Sequence, residues 1–366
     1  MLRYLVAFVI LIHGLIHLIG FSKAMGYIHL RQFSIVITKP IGMLWLLAAV
    51  LFIATAFLFV QKNNGWWWMA LPAVVLSQIL VINYWSNAKY GTIANLLIIL
   101  LAVFSFAEWR FNKKIGKEVA SMWLPVYQYP VITNKMIDSL PVIVQKWMQR
   151  SGVIGKQVTR TVRLKQKGMM RTKPGGKWMD FKATQYFTVS PPAFNWQAKI
   201  DLAPFIYMTG RDKYDHGKGE MLIQLMAMKT IVDSKGSEEI DQGTLLRYLA
   251  EICWFPSAAL DDHISWEAID EHSAKATIHY NQVSASGIFF FNRNADMIGF
   301  EAMRYGEFDG KTSLEKWHIE SKEFKEFNAV RIPYKSEVTW KLKSGDFTWL
   351  KLELLTIEYN KEAAFK

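Results

Sequence analysis

Two stretches carry side chains whose types and spacing could do chemistry. In "LDDHISWEAIDEH", Asp261, Asp262, His263, Glu267, Asp270, Glu271 and His272 crowd together. An imidazole beside carboxylates is a general base or a metal ligand, so a hydrolytic site here would use His263, Asp262 and Glu267. The spacing matches no established ligand or nucleophile motif, and a polar loop leading into an edge strand is the preferred reading. In "HGLIHLIGF", His13 and His17 stand one helical turn apart on one face of an apolar run. Imidazoles so placed suit a metal, a haem iron or a quinone. The simpler reading, preferred here, is hydrogen bonding to neighbouring helices, where Ser77, Gln78, Asn83 and Asn95 are candidate partners.

Several other chemistries lack their residues. No G-x-S-x-G and no G-x-x-x-x-G-K-[ST] occurs. The one cysteine, Cys253, lies in an apolar helical stripe, so neither a disulfide framework nor a thiolate metal cluster is expected. "DKYDHGKGE" gathers Asp212, Asp215, His216 and Glu220 around two glycines and reads as a turn, as does "RTKPGGKW". No metal site and no cofactor is expected.

The elements that must position these groups fall into two halves. Before residue 110 there are four apolar runs, approximately Leu2–Phe21, Ile41–Val60, Trp66–Tyr84 and Ile93–Trp109, each long enough to cross a hydrocarbon core of about 30 Å. Trp66, Trp67, Trp68, Tyr84, Trp85 and Trp109 mark their ends, as interfacial rings do. His13, His17, Gln78 and Asn83 are the intramembrane polar candidates. The net charge of +12 is concentrated after the last run: Arg110 to Lys177 holds 15 Lys or Arg against 2 acidic residues. An anionic lipid surface is the nearest polyanion for that stretch, so nucleic acid is not expected as a partner. Arg3, Lys62, Arg110, Lys113, Lys114 and Lys117 on one side outnumber Lys23, Arg31, Lys39 and Lys89 on the other. That balance favours a multi-pass membrane protein with both ends on the cytoplasmic side.

The remainder divides into a basic connector with a short helix over 110–150 and a β-rich domain over 151–366. Helix signals run from Asn134 and Pro141 to Gly152. "AFNWQAKIDL" alternates with period two, as does Ala274 to Tyr280, and "EVTWKLKSGDFTWLKLELLTIEY" is a hairpin about Gly345 whose apolar phase slips between Leu354 and Leu355. "EMLIQLMAMKTIV" and "GIFFF" are apolar on both faces, which requires cover on both sides or an apolar occupant. In "RYLAEICWFPSAAL", Leu249, Ile252 and Cys253 extend the stripe of Leu245, giving a helix that Pro256 ends and that lies across the sheet as a lid. Arg247 pairs with Glu251, or Glu251 with a sheet residue such as Arg304.

Taken in order, "LPVIVQKWMQRSG", "WMDFKATQYF", "PPAFNWQAKI", "GRDKYDHGKGEM", "LLRYLAEICWFPSAAL", "ISWEAID" and "RIPYKSEVTWKL" resemble an uncharacterised bacterial family of largely membrane-attached proteins, over residues 140 to 359. Its soluble domain is similar in outline to the lipoprotein-carrier (LolA-like) fold, and the resemblance implies a curved antiparallel half-barrel with helices in its concave side. In carriers that space holds acyl chains, and such carriers usually work outside the cytoplasm, so the resemblance opposes the charge balance and the side of the bacterial cytoplasmic membrane on which the soluble domain lies stays open; no catalytic position follows from the likeness. The expected architecture is thus a four-span α-helical transmembrane bundle plus an α+β domain. The leading expectation is a membrane-anchored binding protein for a lipid or other apolar ligand. Met221, Ile223, Leu225, Trp254, Phe255, Phe289 and Phe291 would line the cavity, and Arg247 would stand at its mouth. The alternatives are an enzyme acting on a lipid-like substrate through His263 and its carboxylates, or an anchor for another protein.

Overall fold

The computed structural model describes residues 2–28, 36–123, 129–308 and 310–365, so Arg31 of the charge count lies outside the described residues. The chain divides into two compact units, Met1–Lys113 and Lys114–Lys366. The first holds α1 (Leu2–Ala24), α2 (Lys39–Val60), α3 (Trp66–Asn83), the short α4 (Trp85–Ala88) and most of α5 (Gly91–Met122). Four of these helices, α1, α2, α3 and α5, are long and apolar enough to cross a bilayer. Phe8, Leu47, Ile79 and Leu96 point outward, while Ala48, Ala49, Ala70 and Ala73 are buried between helices. Small inward residues let helix backbones approach closely, and large outward ones suit a lipid surround.

α5 runs on to Met122, well past the expected end at Trp109. Phe111, Ile115, Val119 and Met122 explain the extension: they recur at helical spacing and all four are buried. Part of the expected connector is therefore amphipathic helix.

The second unit continues with α6 (Asn134–Ile137) and α7 (Val142–Ser151), the latter stopped by Gly152 in the left-handed region at φ +74°. There follow β1 (Thr161–Met170), β2 (Met179–Thr188), β3 (Ala193–Ala203), β4 (Ile206–Asp215), β5 (Lys218–Leu225) and β6 (Lys229–Lys235). Next come α8 (Glu238–Glu251) and two 3₁₀ turns, Ile252–Trp254 and Pro256–Leu260. The chain ends with β7 (Ile264–Asp270), β8 (Ser273–Tyr280), β9 (Val283–Phe291), β10 (Met297–Phe308), β11 (Lys311–Phe327), β12 (Val330–Leu342) and β13 (Gly345–Tyr359).

These strands make one antiparallel sheet in the order β6-β5-β4-β3-β2-β1-β13-β12-β11-β10-β9-β8-β7. It is curved and unclosed, with β6 and β7 as its edges. The predicted phase slip is a bulge: Lys165 faces Thr356 and Gln166 faces Leu354, so Leu355 is the extra residue. The two-faced run "EMLIQLMAMKTIV" is not one strand. Met226 and Ala227 take φ values of 53° and 56°, turning it into the β5–β6 hairpin.

α8 starts at Ser237, whose side chain accepts from the Ile240 N–H at 3.3 Å, and Glu238, Glu239 and Asp241 occupy its first turn. Leu245, Leu246, Leu249 and Ile252 are fully buried and join Phe187, Phe194, Phe289 and Phe300 of the sheet in one core. α7 adds Trp147, whose ring lies 5.8 Å from Phe291 and 6.1 Å from Phe289.

Asp296, in the β9–β10 connection, ties α7 to β12. It accepts from Arg331 at 2.7 Å and from Arg150 at 3.3 Å. Burial opposes its ionisation, and the two guanidinium groups outweigh burial, holding the carboxyl below its ordinary value. Such a lowered group contributes stability above about pH 4, and that contribution is lost as pH falls through its folded pKa. Asp296→Ala is expected to cost about 2 kcal/mol at neutral pH. Denaturation of the full chain should show that difference from the parent shrinking in acid.

Candidate functional site

Residues directly opposite one another on antiparallel strands share a face, so the register arranges the α8 side of the sheet into rows. The first row is Gln185, Trp196, Asp212 and Met221. α8 meets the sheet there. Arg247 donates to Asp212 at 2.5 Å and to Glu251 at 2.9 Å, and its guanidinium lies 5.0 Å from the Trp196 ring and 5.1 Å from Phe194. Glu251 also accepts from the Gln185 amide at 2.7 Å. Burial raises the Glu251 carboxyl above its ordinary range despite the neighbouring Arg247. The expected Arg247–Glu251 pair is present, and Glu251 makes no ion pair with Arg304 among the described residues.

Along the strands beyond that row, side chains become small and then oily. The second row is Gln166, Ala183, Ala198, Gly210 and Ile223; the third is Gly168, Phe181, Ile200, Met208 and Leu225; Met170 and Met179 follow. Ala183, Ala198 and Gly210 form a low, buried floor with the Trp196 and Ile200 side chains lying over Gly210, and Met170, Met179, Met208, Met221, Ile223 and Leu225, only half-buried, rim it as a shallow trough. Unbranched methionines adapt to irregular apolar guests. The trough leads toward the β1–β2, β3–β4 and β5–β6 turns, where Phe205 and Met228 are exposed at 72% and 40% beside exposed Lys173, Lys177 and Lys229.

A second arginine enters the same face from β10. Ala302, Trp317, Trp340 and Phe347 stand opposite one another in turn, and Arg304 is two residues beyond Ala302. Its guanidinium sits 4.7 Å from the Trp317 ring and 5.8 Å from Trp340, and its Nε donates to the Gly243 carbonyl of α8 at 3.1 Å. No carboxylate pairs with it among the described residues. Burial, followed by repulsion from Arg247, pushes Arg304 down to about 10, which leaves it a cation at neutral pH.

The residues expected to line a cavity separate into two groups. Met221, Ile223 and Leu225 stand on the half-exposed trough. Trp254, Phe255, Phe289 and Phe291 instead belong to the protein's own core, with exposures of 3%, 0%, 0% and 2%. Phe255 packs 4.9 Å from Phe187, and Phe289 packs 4.9 Å from Phe300. The helix of "RYLAEICWFPSAAL" is a plug as much as a lid. Arg247 was expected at a mouth and is found inside a four-sided polar contact at the end of the trough. The sequence reading missed Gln166 and Asp212 as members of this face and named Arg304 only as a partner for Glu251. A signal existed: in "RLKQKGMM" and "MTGRDKY" the apolar phase passes through Gln166 and Asp212.

The proposed catalytic trio does not converge. His263 Nδ1 meets Asp261 at 2.6 Å, whereas Glu267 is exposed and pairs with Lys275 across β7 and β8. Asp262 lines a separate cleft of about 220 Å³ with Asp261, Ser257 and Arg160. Among the described residues no group of three or more His, Cys, Asp or Glu is placed to hold a metal. Burial pushes the Cys253 thiol up, away from nucleophilic use.

Within the helical unit, His13 Nε2 meets Asn95 Oδ1 at 2.9 Å, and His17 Nε2 meets Ser77 Oγ at 2.9 Å. The Asn95 amide donates to Ser77 and to Gln78 at 3.0 Å each, and Gln78 donates to Thr92 at 3.2 Å. Since His17 Nδ1 faces the His13 carbonyl at 2.8 Å, that nitrogen carries the proton and Nε2 accepts. Asn83 differs from the expectation and donates to its own helix at Ile79.

Residues 130–352 match the family described as "Family of unknown function (DUF6544)". No curated protein matches the chain. Among solved structures, a DUF1329 family protein from Desulfovibrio piger is similar with TM-score 0.35 and 9% identity, covering 64% of this chain and 96% of that one. A LolA superfamily protein from Nitrosomonas europaea is similar with TM-score 0.32 and 11% identity, covering 60% and 95%.

Proposed function

Since the chain belongs to DUF6544, a family of unknown function, we propose from its own surfaces that it is a membrane-anchored binding protein, which holds a lipid or other apolar ligand in the trough of its curved sheet without catalysing a reaction. The observation that carries this reading is the set of flexible apolar side chains beyond the α8 contact, Met170, Met179, Met208, Met221, Ile223 and Leu225, which stay half-exposed on the α8 side of the sheet. A soluble domain gains little by leaving such a face open, whereas burying a hydrocarbon chain on it yields about 0.8 kcal/mol per methylene. Four helices of the same chain are long and apolar enough to cross a bilayer, which supports a membrane as the source of such chains. Exposed Phe205 and Met228 among lysines supply a rim suited to an anionic lipid surface. The Lys and Arg balance supports the cytoplasmic side for this unit, which protease accessibility in intact cells tests directly.

The binding experiment uses delipidated full chain in a non-ionic detergent and oleyl alcohol as a neutral single-chain probe, read by native mass spectrometry. Leu225→Asp and Met208→Asp place a charge on the trough wall, and each is expected to weaken binding at least about tenfold, or 1.4 kcal/mol. Unchanged binding in both variants, or no binding by the parent chain, would refute the reading.

A further inference from the structure

The trough has a chemically one-sided end. The terminal nitrogens of Arg304 have no protein hydrogen-bond partner among the described residues, although its Nε is fixed to Gly243 and its plane is held beside Trp317 and Trp340. Two donors on the α8 side of the sheet, Gln166 Nε2 of β1 and Trp317 Nε1 beside Arg304, are buried without acceptors. Gln166 is oriented, because its Oε1 accepts from Trp196 at 3.1 Å, which leaves the amide nitrogen as the free end. Among the described residues, Gln185 Oε1 and the Tyr214 hydroxyl are buried on this face without hydrogen-bond partners. Two carboxylates of α8 and β4 are already engaged. Asp212 is taken by Arg247, and Glu251 by Arg247 and Gln185. Glu315, the cross-strand neighbour of Arg304, forms no ion pair with it.

A guanidinium held flat, with its outer fork unpaired, matches the two oxygens of a carboxylate or phosphate. Arg304 is half-buried, and its fork stands beside tryptophan rings at the edge of an apolar face, where an oxyanion partner gains more than at an open surface. Resting on the reading that the trough takes an apolar chain, we propose that the ligand is a single-chain anionic amphiphile, whose acidic group is gripped by Arg304 while its hydrocarbon chain lies along Ile223, Leu225 and Met208. Arg247, saturated by two carboxylates, is a positioning residue that shapes this end of the trough and does not bind the ligand.

The test compares three probes with one hydrocarbon chain and different heads: oleyl alcohol, oleate and oleyl phosphate. Delipidated full chain in non-ionic detergent is titrated with each at about pH 8, where both acids are ionised. The parent chain is expected to hold the acids about ten- to a hundredfold more tightly than the alcohol, the range of one charge-assisted fork. Arg304→Gln should bring the acids down to the alcohol's level while leaving the alcohol unchanged, and Arg304→Lys should keep part of the preference. The ratio of oleate to oleyl phosphate then distinguishes a fatty acid from a phosphorylated lipid. If the parent binds all three probes alike, the anionic inference fails and the apolar-ligand reading stands. If no probe binds, both fail. Should Arg304→Gln lose the alcohol together with the acids, Arg304 is structural and the inference is overturned.

Discussion

Phe255→Ala is expected to destabilise the second unit by about 3–5 kcal/mol, the usual cost of emptying a large aromatic site in a well-packed core. Phe255 is fully buried, and its ring sits 4.9 Å from Phe187 and 6.0 Å from Tyr248. Both partners are themselves anchored: Tyr248 donates its hydroxyl to the Thr188 carbonyl at 3.1 Å, and Phe187 packs against Phe194. With little freedom to collapse, the neighbours would leave most of the vacated volume empty. Thermal and denaturant unfolding of the full chain should show the loss, while molecules that remain folded bind the oleyl alcohol probe with unchanged affinity. Leu225→Ala on the trough should do the reverse, moving stability by less than about 1 kcal/mol and weakening the probe. A Phe255→Ala chain as stable as its parent but unable to bind would return Phe255 to the ligand and undo the division of the face proposed above.

Arg247→Met should be comparably severe, about 3–5 kcal/mol at neutral pH, because it strands two carboxylates against an apolar face. Asp212 and Glu251 lose their shared cation, and Gln185 alone cannot neutralise Glu251. The pH dependence has a definite sign. Burial raises the folded pKa of Glu251 above its unfolded value, so the stability linked to its protonated form is present below about pH 4 and is lost as pH rises through the folded pKa. Removing Arg247 lifts that folded pKa further, so the variant should be least harmed in acid and should worsen toward neutrality. Adding Glu251→Gln to Arg247→Met should recover part of the loss, since a neutral amide needs no counter-ion. Denaturation curves of the parent, single and double variants on either side of neutrality check both statements; a single variant with parental stability throughout contradicts a desolvated ion network.

The sheet was readable in the sequence wherever side chains obeyed period two. Phe194, Trp196, Ala198 and Ile200 fall on one face of β3 as their alternation requires, and the slip at Leu355 is a bulge because one extra residue reverses the phase. The β5–β6 run resisted that reasoning. Its residues are apolar in both phases, so nothing local identified Met226 and Ala227 as the turn; their positive φ follows from pairing between β5 and β6. The extension of α5 beyond Trp109 was obscured by its lysines, which sit on the exposed side while Ile115 and Val119 are buried.

The candidate site was half legible for a related reason. Arg247 and Glu251 are one helical turn apart, so their pairing is local and follows from helix geometry. The third and fourth members, Asp212 and Gln185, come from β4 and β2 and are brought in only by sheet curvature and strand order. Trp254 and Phe255 looked as suited to a ligand as Met221 or Leu225 do, since hydrophobicity does not say which oily residues a protein keeps for itself.

By itself, then, the order of residues determined the four apolar helices, the strand alternation, the helix from Ser237 onward and the pairing across one of its turns, because each depends on interactions between positions a few residues apart. The folded chain alone decided that Phe255, Phe289 and Phe291 share a filled interior, that His263 stands away from Glu267, and that Arg304 lies beside Trp317 and Trp340 with no ion pair among the described residues. Those outcomes depend on which distant segments occupy the same space, and a curved sheet of thirteen strands settles that by closing its inner side around α8.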